Sequence, residues 1–292
     1  MRWLAIANPA AGRGHEAGRL LQRLRAMRDV AATIAETRQP GDATRLARAA
    51  AGFDGVIAIG GDGTVAEVLQ GLDRATQQLA VLPAGHGNCL ARDLGLANPG
   101  RALEALRHGV TRSLDLMDVV ASHADGRRTA RILASTLALG YVTEVVTCGR
   151  QRLAGFGRYA YAAAALVVVP RRFRARVAGA ACNGTDREYT GLVINNTAHL
   201  ANFRGFPDAT LTDGQLDVME LAHDWPRQLL HNASVLAGSR RWGPAAMRQA
   251  AVEHVELPQP LTLMADGELL HRVCAVTATC LPGAVRCITA AA

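Results

Sequence analysis

The stretch Gly55-Val56-Ile57-Ala58-Ile59-Gly60-Gly61-Asp62-Gly63-Thr64 joins an apolar run to a cluster of glycines. Its apolar first half predicts a buried strand, and a glycine-rich turn separates that strand from a helix predicted over Val65–Leu72. Backbone N–H groups in such a turn, next to a helix N-terminus, suit phosphate binding, and Asp62 could hold or orient a metal ion. The alternative is a plain strand–helix turn capped by Asp62, which would need fewer glycines.

Two other turns have the same strand-before, helix-after context. Trp3–Ala7 is predicted as a strand that ends in Asn8-Pro9-Ala10-Ala11-Gly12-Arg13-Gly14, and Leu79–Leu82 as one that ends in Pro83-Ala84-Gly85-His86-Gly87-Asn88-Cys89. His86 could be a surface residue, a nucleotide contact or a base. The carboxyl ends of parallel strands share one edge of a sheet, so we expect all three turns to converge on one cleft.

The remaining signals within residues 1–116 continue this alternation. They predict a strand over Ala31–Thr37 and helices over Glu16–Met27, Asp42–Ala51, Asn88–Leu94 and Ala102–His108, with Asp42 and Asn88 as helix N-caps. Regular alternation of strand and helix indicates a parallel sheet flanked by helices.

Residues 117–283 have a different character and predict a second, β-rich domain. One helix is expected around Arg158–Val169. The predicted strands are Asp118–Ala121, Thr129–Leu139, Arg174–Ala178, Leu192–Asn195, Leu216–Leu221, Val252–Leu257, Leu261–Ala265 and Val273–Ala278, separated by Asp-Gly and Asn-Gly turns.

Composition narrows the function classes. All 32 basic residues are arginine, so lysine chemistry such as a P-loop lysine or a Schiff base is excluded. The arginines are dispersed and aromatics make up only 4%, which argues against a nucleic-acid partner.

No signal-peptide pattern opens the chain, and the longest apolar run, Tyr159–Val169, is too short to cross a bilayer. We therefore expect a cytoplasmic protein that can associate peripherally with membranes.

The segment from Arg150 to Arg176 mixes arginines with apolar and aromatic residues. This mixture suits contact with an anionic lipid surface. A core helix with a solvated, arginine-rich end is the alternative interpretation.

Two late turns carry carboxylates, namely Thr212-Asp213-Gly214-Gln215-Leu216-Asp217 and Ala265-Asp266-Gly267-Glu268. An ordinary β-turn explains a single Asp-Gly pair, but it does not explain both acids around Gly267. Carboxylates are suitable ligands for Mg²⁺ and a suitable base for an alcohol nucleophile.

Taken in order, these motifs resemble the diacylglycerol kinase catalytic-domain family, which includes soluble bacterial diacylglycerol kinases and sphingosine and ceramide kinases. The resemblance rests on the Asn8–Gly12 turn, Gly60–Thr64, Pro83–Asn88, the segment from Pro207 to Val218, and Asp266–Glu268. It implies an α/β nucleotide-binding domain of the NAD kinase and phosphofructokinase type, a C-terminal β-sandwich, and a final segment, residues 284–292, that returns to the first domain.

The resemblance also implies roles for particular residues. It implies an ATP-dependent lipid kinase whose acceptor is a diacylglycerol or sphingoid-type lipid at a membrane surface, and it leaves a homodimer open. Asp213 would hold Mg²⁺ with the backbone carbonyls of Thr210 and Gln215. Asp266 and Glu268 would lie at the reaction centre, with Glu268 favoured as the proton acceptor. The expected ATP contacts are Asn8, Pro9, Ala10, Ala11, Gly12, Thr37, Gly60, Gly61, Asp62, Gly63, Thr64, Val65, Ala66 and His86.

The chain departs from the family pattern at a few positions. His86 stands where Thr or Ser is usual, Cys89 where many members have Asp, and Ala66 and Gln70 where asparagines are common. These departures keep a catalytically degenerate lipid- or nucleotide-binding regulator as an alternative. An NAD kinase-like enzyme is a further alternative, although the second Gly-Thr/Ser motif of such enzymes is missing.

Overall fold

The computed structural model describes residues 1–12, 15–179, 182–200, 203–237, 243–244 and 246–291. Arg13 and Gly14, at the end of the first glycine turn, lie outside this range. The first half contains β1 (Arg2–Ala7), α1 (His15–Ala26), β2 (Ala31–Glu36), α2 (Asp42–Arg48), β3 (Gly55–Gly60), α3 (Asp62–Gly71), β4 (Gln78–Pro83), α4 (Cys89–Asp93) and α5 (Pro99–His108). The strands pair in parallel in the order β2-β1-β3-β4, which confirms the predicted α/β architecture.

The second half is mainly antiparallel. It contains β5 (Val110–His123), β6 (Arg128–Leu133), β7 (Thr136–Gly140), α6 (Tyr141–Gln151), a 3₁₀ segment (Ala154–Tyr159), α7 (Ala160–Val167), β8 (Phe173–Gly179), β9 (Cys182–Tyr189), β10 (Gly191–Asn195), β11 (Leu216–Leu221), α8 (Trp225–Leu236), β12 (Ala246–Ala250), β13 (Val252–Ala265) and β14 (Glu268–Thr289). The central path of the sheet runs β12-β11-β10-β7-β13-β14-β4-β3-β1-β2.

The last strand joins the two halves. Along most of its length β14 pairs antiparallel with β5, and near its end Cys287 pairs in parallel with Leu79 of β4. Residues 284–289 thus complete the sheet of the first half. The predicted boundary between residues 116 and 117 falls inside β5, so the division into 1–116 and 117–283 stays a prediction.

Several predicted elements of the second half were wrong. The single strand expected over Thr129–Leu139 is divided into β6 and β7, because the backbone N–H groups of Ala134 and Ser135 turn toward the carboxylate of Asp266. The two strands expected over Val252–Leu257 and Leu261–Ala265 form one strand, β13, with irregular pairing to β14. Sequence patterns missed α6, α8, β9 and β12.

The cores consist mainly of aliphatic side chains, which fits the aromatic content of only 4%. In the first half, Leu20, Leu21 and Leu24 of α1 are buried within one cluster that includes the parallel strands. A smaller cluster involves α6, α7, β10, β11 and the end of β13. Among the residues described here, the helices are all too short or too polar to cross a membrane.

Candidate active site

The three glycine turns meet at one edge of the parallel sheet. Gly12 has φ +60°, and a Cβ atom there would lie 2.1 Å from the carbonyl oxygen of Ala84. A Cβ on Gly85 would lie 2.4 Å from the Cα of Gly61. Backbone therefore packs directly on backbone, which only glycine permits. The predicted convergence of the three turns is confirmed.

Asp62 connects the second turn to the third. It is the first residue of α3, whose N-cap position belongs to Gly61, so its interpretation as a simple cap is wrong. Its Oδ1 accepts a hydrogen bond from the backbone N–H of Cys89 at 2.6 Å. Burial raises the pKa of Asp62, and the N–H groups of Cys89 and Asn88 oppose that rise.

Asp42 and Asn88 shape neighbouring loops instead of capping helices with their side chains. Gly41 occupies the N-cap position of α2, and Asp42 Oδ2 accepts from the backbone N–H groups of Arg38 and Gln39 at 2.9 and 3.2 Å. These hydrogen bonds lower the pKa of Asp42. They fix the loop that follows Thr37 along one wall of the site.

Asn88 occupies the N-cap position of α4 but has φ +50° and no side-chain bond to that helix. Its amide instead closes the third turn on itself. Asn88 Oδ1 accepts from the N–H of Gly85 at 3.0 Å, and Nδ2 donates to the Gly85 carbonyl at 2.7 Å. This arrangement holds the turn that carries His86.

Asp266 lies in the β13–β14 turn and is almost fully buried. Its Oδ2 accepts from the N–H of Ala134 at 2.8 Å, and its Oδ1 accepts from Ser135 and Thr136 at 3.1 and 2.7 Å. Burial raises the pKa of Asp266 to about 7 against these three bonds, and the nearby charge of Asp62 adds to the rise. Asp266 therefore joins the turn to the β6–β7 junction and lies within electrostatic reach of the glycine turns.

Glu268 is placed differently. Its side chain is 62% exposed, and Oε2 lies 3.6 Å from Nε of Arg131 on β6. Arg150 of α6 donates to the carbonyl of Gly267 in the same turn. Both arginines line the cleft. No sequence pattern marked Arg131, and Arg150 was singled out only as part of the segment predicted to contact a lipid surface.

A single cleft of about 1440 Å³ runs from the glycine turns past Asp266 and Glu268 into a space between helices. We call that space the apolar chamber. Its lining residues from α6, α7, α8 and the adjacent strands and loop are Tyr141, Val142, Val145, Val146, Tyr161, Ala162, Ala165, Leu200, Phe203, Met219, Leu221, Gln228, His231, Asn232, Val235, Met264 and Leu269. The chamber was not predicted, because α6 and α8 were not recognised.

Most of the predicted site residues line this cleft. They are Asn8, Pro9, Ala10, Ala11, Gly12, Thr37, Gly61, Asp62, Gly63, Thr64, Ala66, His86, Asp266 and Glu268. Gly60 and Val65 are buried behind the second turn. Thr210, Asp213 and Gln215 do not line the cleft, so the sequence-predicted metal ligands lie apart from Asp62 and Asp266.

Asp213 belongs to a separate acidic region beside β11. Its Oδ1 accepts from the backbone N–H of Gln215 at 3.0 Å. The pKa of neighbouring Asp217 is raised to about 6, first by burial and then by the negative charge of Asp213. Within the described part of the chain, no three His, Cys, Asp or Glu side chains come together as a metal site. A cation here would depend on Asp213 and backbone carbonyl oxygens, a donor set of the kind that Mg²⁺ and Ca²⁺ accept.

The α/β half, which carries the glycine turns, and the strand-rich half, which carries Asp266 and Glu268, line one cleft. Family models match both halves: the diacylglycerol kinase catalytic domain matches residues 2–119, and the YegS C-terminal NAD kinase beta sandwich-like domain matches residues 135–289. The chain therefore belongs to the diacylglycerol kinase family of lipid kinases.

Individual relatives agree with this assignment. The chain is 28% identical over 237 residues to a diacylglycerol kinase of Mycobacterium tuberculosis, covering 78% of this chain and 75% of the relative. It is 30% identical over 200 residues to a diacylglycerol kinase of Bacillus subtilis, covering 62% and 60%. A solved structure of a diacylglycerol kinase from Bacillus anthracis aligns with a TM-score of 0.78 at 20% identity, covering 99% of this chain and 96% of that one. At that identity the structural match supports the fold alone.

Proposed function

We propose that this protein transfers the γ-phosphate of ATP to the hydroxyl group of a lipid. The observation that carries the proposal is the continuity of one cleft from three glycine turns to an apolar chamber, with Asp62, Asp266 and Glu268 along its length. A hydrophilic phosphate donor and a hydrophobic acceptor could meet in such a cleft.

The glycine turns are the proposed ATP site. Their close backbone packing and the N-terminus of α3 favour an anionic ligand. The turns and the loop after Thr37 would hold the nucleotide, with His86 beside it. Positioning and charge stabilisation supply most of the rate in phosphoryl transfer, so rigid turns suit this reaction.

The acidic residues fit a magnesium-dependent reaction. The pKa values of Asp62 and Asp266 are raised mainly by burial, and the charge of Asp62 raises that of Asp266 further. A nearby cation would offset that repulsion. When bound, Mg²⁺ would neutralise phosphate charge. A second, structural ion held by Asp213 with the carbonyls of Thr210 and Gln215 is proposed from the acidic region beside β11.

Glu268 is the proposed general base. Both carboxylate oxygens of Asp266 are occupied by backbone N–H groups, so Asp266 is suited to hold the turn and the local charge. Glu268 lines the cleft, its side chain is largely exposed, and its Oε2 lies 3.6 Å from Nε of Arg131. A carboxylate in that position can accept the proton of a lipid hydroxyl.

The lipid would enter from a membrane surface at the α7 side of the chamber. Exposed apolar side chains cluster there, namely Phe156, Tyr159, Leu166, Val167 and Val169. The C-terminal part of the predicted lipid-contact segment, Arg150 to Arg176, has other partners. The ring of Phe173 packs against that of Tyr189, with 6.0 Å between the ring centroids. Arg172 and Arg174 form ion pairs with Glu188. The membrane-facing surface proposed here is therefore the 3₁₀ segment and α7.

The direct test is incubation with labelled ATP, Mg²⁺ and a panel of lipids in mixed micelles: diacylglycerol, monoacylglycerol, sphingosine and ceramide. The proposal expects label on at least one lipid. ATP binding without label transfer to any of them would contradict the proposal and support a lipid- or nucleotide-binding regulator.

A further inference from the structure

One side-chain oxygen beside the apolar chamber, Oε1 of Gln228, has no hydrogen-bond partner in the described part of the chain. Gln228 lies on α8 and is only 1% exposed, yet it lines the chamber. Its Oε1 is buried and has no hydrogen-bond partner among the described residues. Buried acceptors are nearly always paired, so this atom calls for a physical explanation.

The orientation of the Gln228 amide follows from a chain of hydrogen bonds that starts at the backbone. The carbonyl oxygen of Ala165 can only accept, and Nδ2 of Asn232 donates to it at 3.0 Å. This contact fixes Oδ1 of Asn232 as an acceptor, which receives Nε2 of Gln228 at 3.0 Å. Rotating the Gln228 amide by 180° would place its Oε1 against Oδ1 of Asn232, and two acceptors would then face each other. The atom left over is therefore an acceptor.

Tyr141 reinforces this chain. Its hydroxyl donates to the same Ala165 carbonyl at 2.7 Å and accepts from Nδ2 of Asn232, also at 2.7 Å. The network thus connects three helices: α6 supplies Tyr141, α7 supplies Ala165, and α8 supplies both Asn232 and Gln228. Its free end is an oxygen that requires a donor, in a chamber whose other walls are mostly aliphatic and aromatic.

We infer that the lipid acceptor carries an N–H or O–H donor within its apolar part, and that Gln228 Oε1 accepts from it. The inference rests on the proposed function, because it assumes that the chamber holds the lipid. A diacylglycerol with plain acyl chains has no donor besides the hydroxyl that would receive the phosphate. The favoured class is therefore an amide-linked sphingoid lipid or a lipid with a hydroxylated acyl chain.

Lipids with and without this donor should differ strongly in their affinity for the chamber. A site that hydrogen-bonds a ligand N–H or O–H discriminates strongly against an analogue without it, since the buried acceptor is then left unpaired. We expect a preference of roughly tenfold to hundredfold for the donor-bearing lipid.

Two matched lipid pairs test the inference by titration calorimetry in mixed micelles, without ATP. One pair is an N-acyl sphingoid base and its N-methylated amide, and the other is a diacylglycerol with and without a hydroxyl on one acyl chain. Wild type should bind the donor-bearing member of at least one pair about tenfold more tightly, and the pair that responds identifies the amide or the hydroxyl. Equal affinity within both pairs would overturn the inference.

The variant Gln228→Met keeps the volume and removes the acceptor, so it should bind both members of a pair equally. Val235→Ala trims the chamber on the same helix and should weaken both members while keeping the preference. A preference that survives in Gln228→Met would also overturn the inference. If Gln228→Met does not fold, Gln228→Leu replaces it. If neither variant folds, the affinity ratio of wild type within each lipid pair tests the inference.

Measuring label transfer with the same lipids separates the two proposals. Selective binding without phosphorylation would contradict the proposed kinase activity and leave the Gln228 contact standing. Phosphorylation of both members with equal kcat/KM and equal affinity would support the kinase activity and refute the Gln228 contact.

Discussion

Replacing Asp266 with asparagine should change how the stability of the protein depends on pH. Burial raises the pKa of Asp266 from the ordinary 3.8 to about 7. Between these two values the folded protein keeps a proton that the unfolded chain has lost. Stability is therefore highest below the unfolded pKa and falls as the pH rises through the folded pKa.

The magnitude follows from the size of the shift. One pKa unit corresponds to about 1.4 kcal/mol, so the part of the window between pH 5 and about pH 7 is worth roughly 3 kcal/mol. Asparagine has the same shape and cannot titrate. Its oxygen can accept from the N–H groups of Ser135 and Thr136, but its NH₂ group cannot accept from Ala134, so the variant loses that one bond at every pH.

Urea unfolding of wild type and Asp266→Asn at pH 5 and pH 8 measures this effect. We expect the free energy of unfolding of wild type to fall relative to the variant by roughly 3 kcal/mol over that interval. Glu104→Gln removes an exposed carboxylate of α5 and should show the wild-type dependence. Parallel pH dependences of wild type and Asp266→Asn would show that folding does not raise the pKa of Asp266.

Three further outcomes follow from the site. Asp62→Ala should reduce lipid phosphorylation by a hundredfold or more, about 3 kcal/mol of lost transition-state stabilisation, while circular dichroism stays unchanged; near-normal turnover would remove Asp62 from the reaction. Gly12→Ala should weaken ATP binding measurably by calorimetry, because its Cβ would lie 2.1 Å from the Ala84 oxygen; wild-type affinity would show that the first turn is not part of the nucleotide site. The double variant Leu166→Ser/Val167→Ser should sediment less with anionic vesicles, because both side chains are exposed and apolar. The fraction of wild-type vesicle binding that is lost at high salt measures the electrostatic contribution to that binding. Unchanged sedimentation of the double variant would exclude this part of α7 as the membrane contact.

The sequence predicted the half of the site whose signals are local. Each glycine turn lies between its own strand and helix, and the parallel order of β1, β3 and β4 brings the turns together. Periodicity and turn chemistry within about ten residues are sufficient for such predictions.

The other half depends on contacts between distant residues. Asp266 receives N–H groups from the β6–β7 junction, 130 to 132 positions away, and no pattern in the sequence marks that pairing. Helix α6 contains several β-branched residues, including Thr143 and Val145, which favour strand predictions.

Helix α8 did carry a readable signal. Asp224 is its N-cap and accepts from the N–H of Arg227 at 3.2 Å, and Pro226 lies in its first turn. This combination is a known helix start. Without α6 and α8 the apolar chamber could not be predicted, nor could the buried position of Gln228.

The proposed role of Glu268 is to accept the proton of a lipid hydroxyl in this cleft. Its most direct test is the turnover of lipid phosphorylation by Glu268→Gln, with Glu188→Gln as a matched control at an exposed ion pair outside the cleft lining. We expect Glu268→Gln to lose roughly 10²–10⁴-fold in kcat, the usual contribution of a general base, with ATP affinity nearly unchanged and the control fully active. Full turnover in Glu268→Gln would show that Glu268 is not the base.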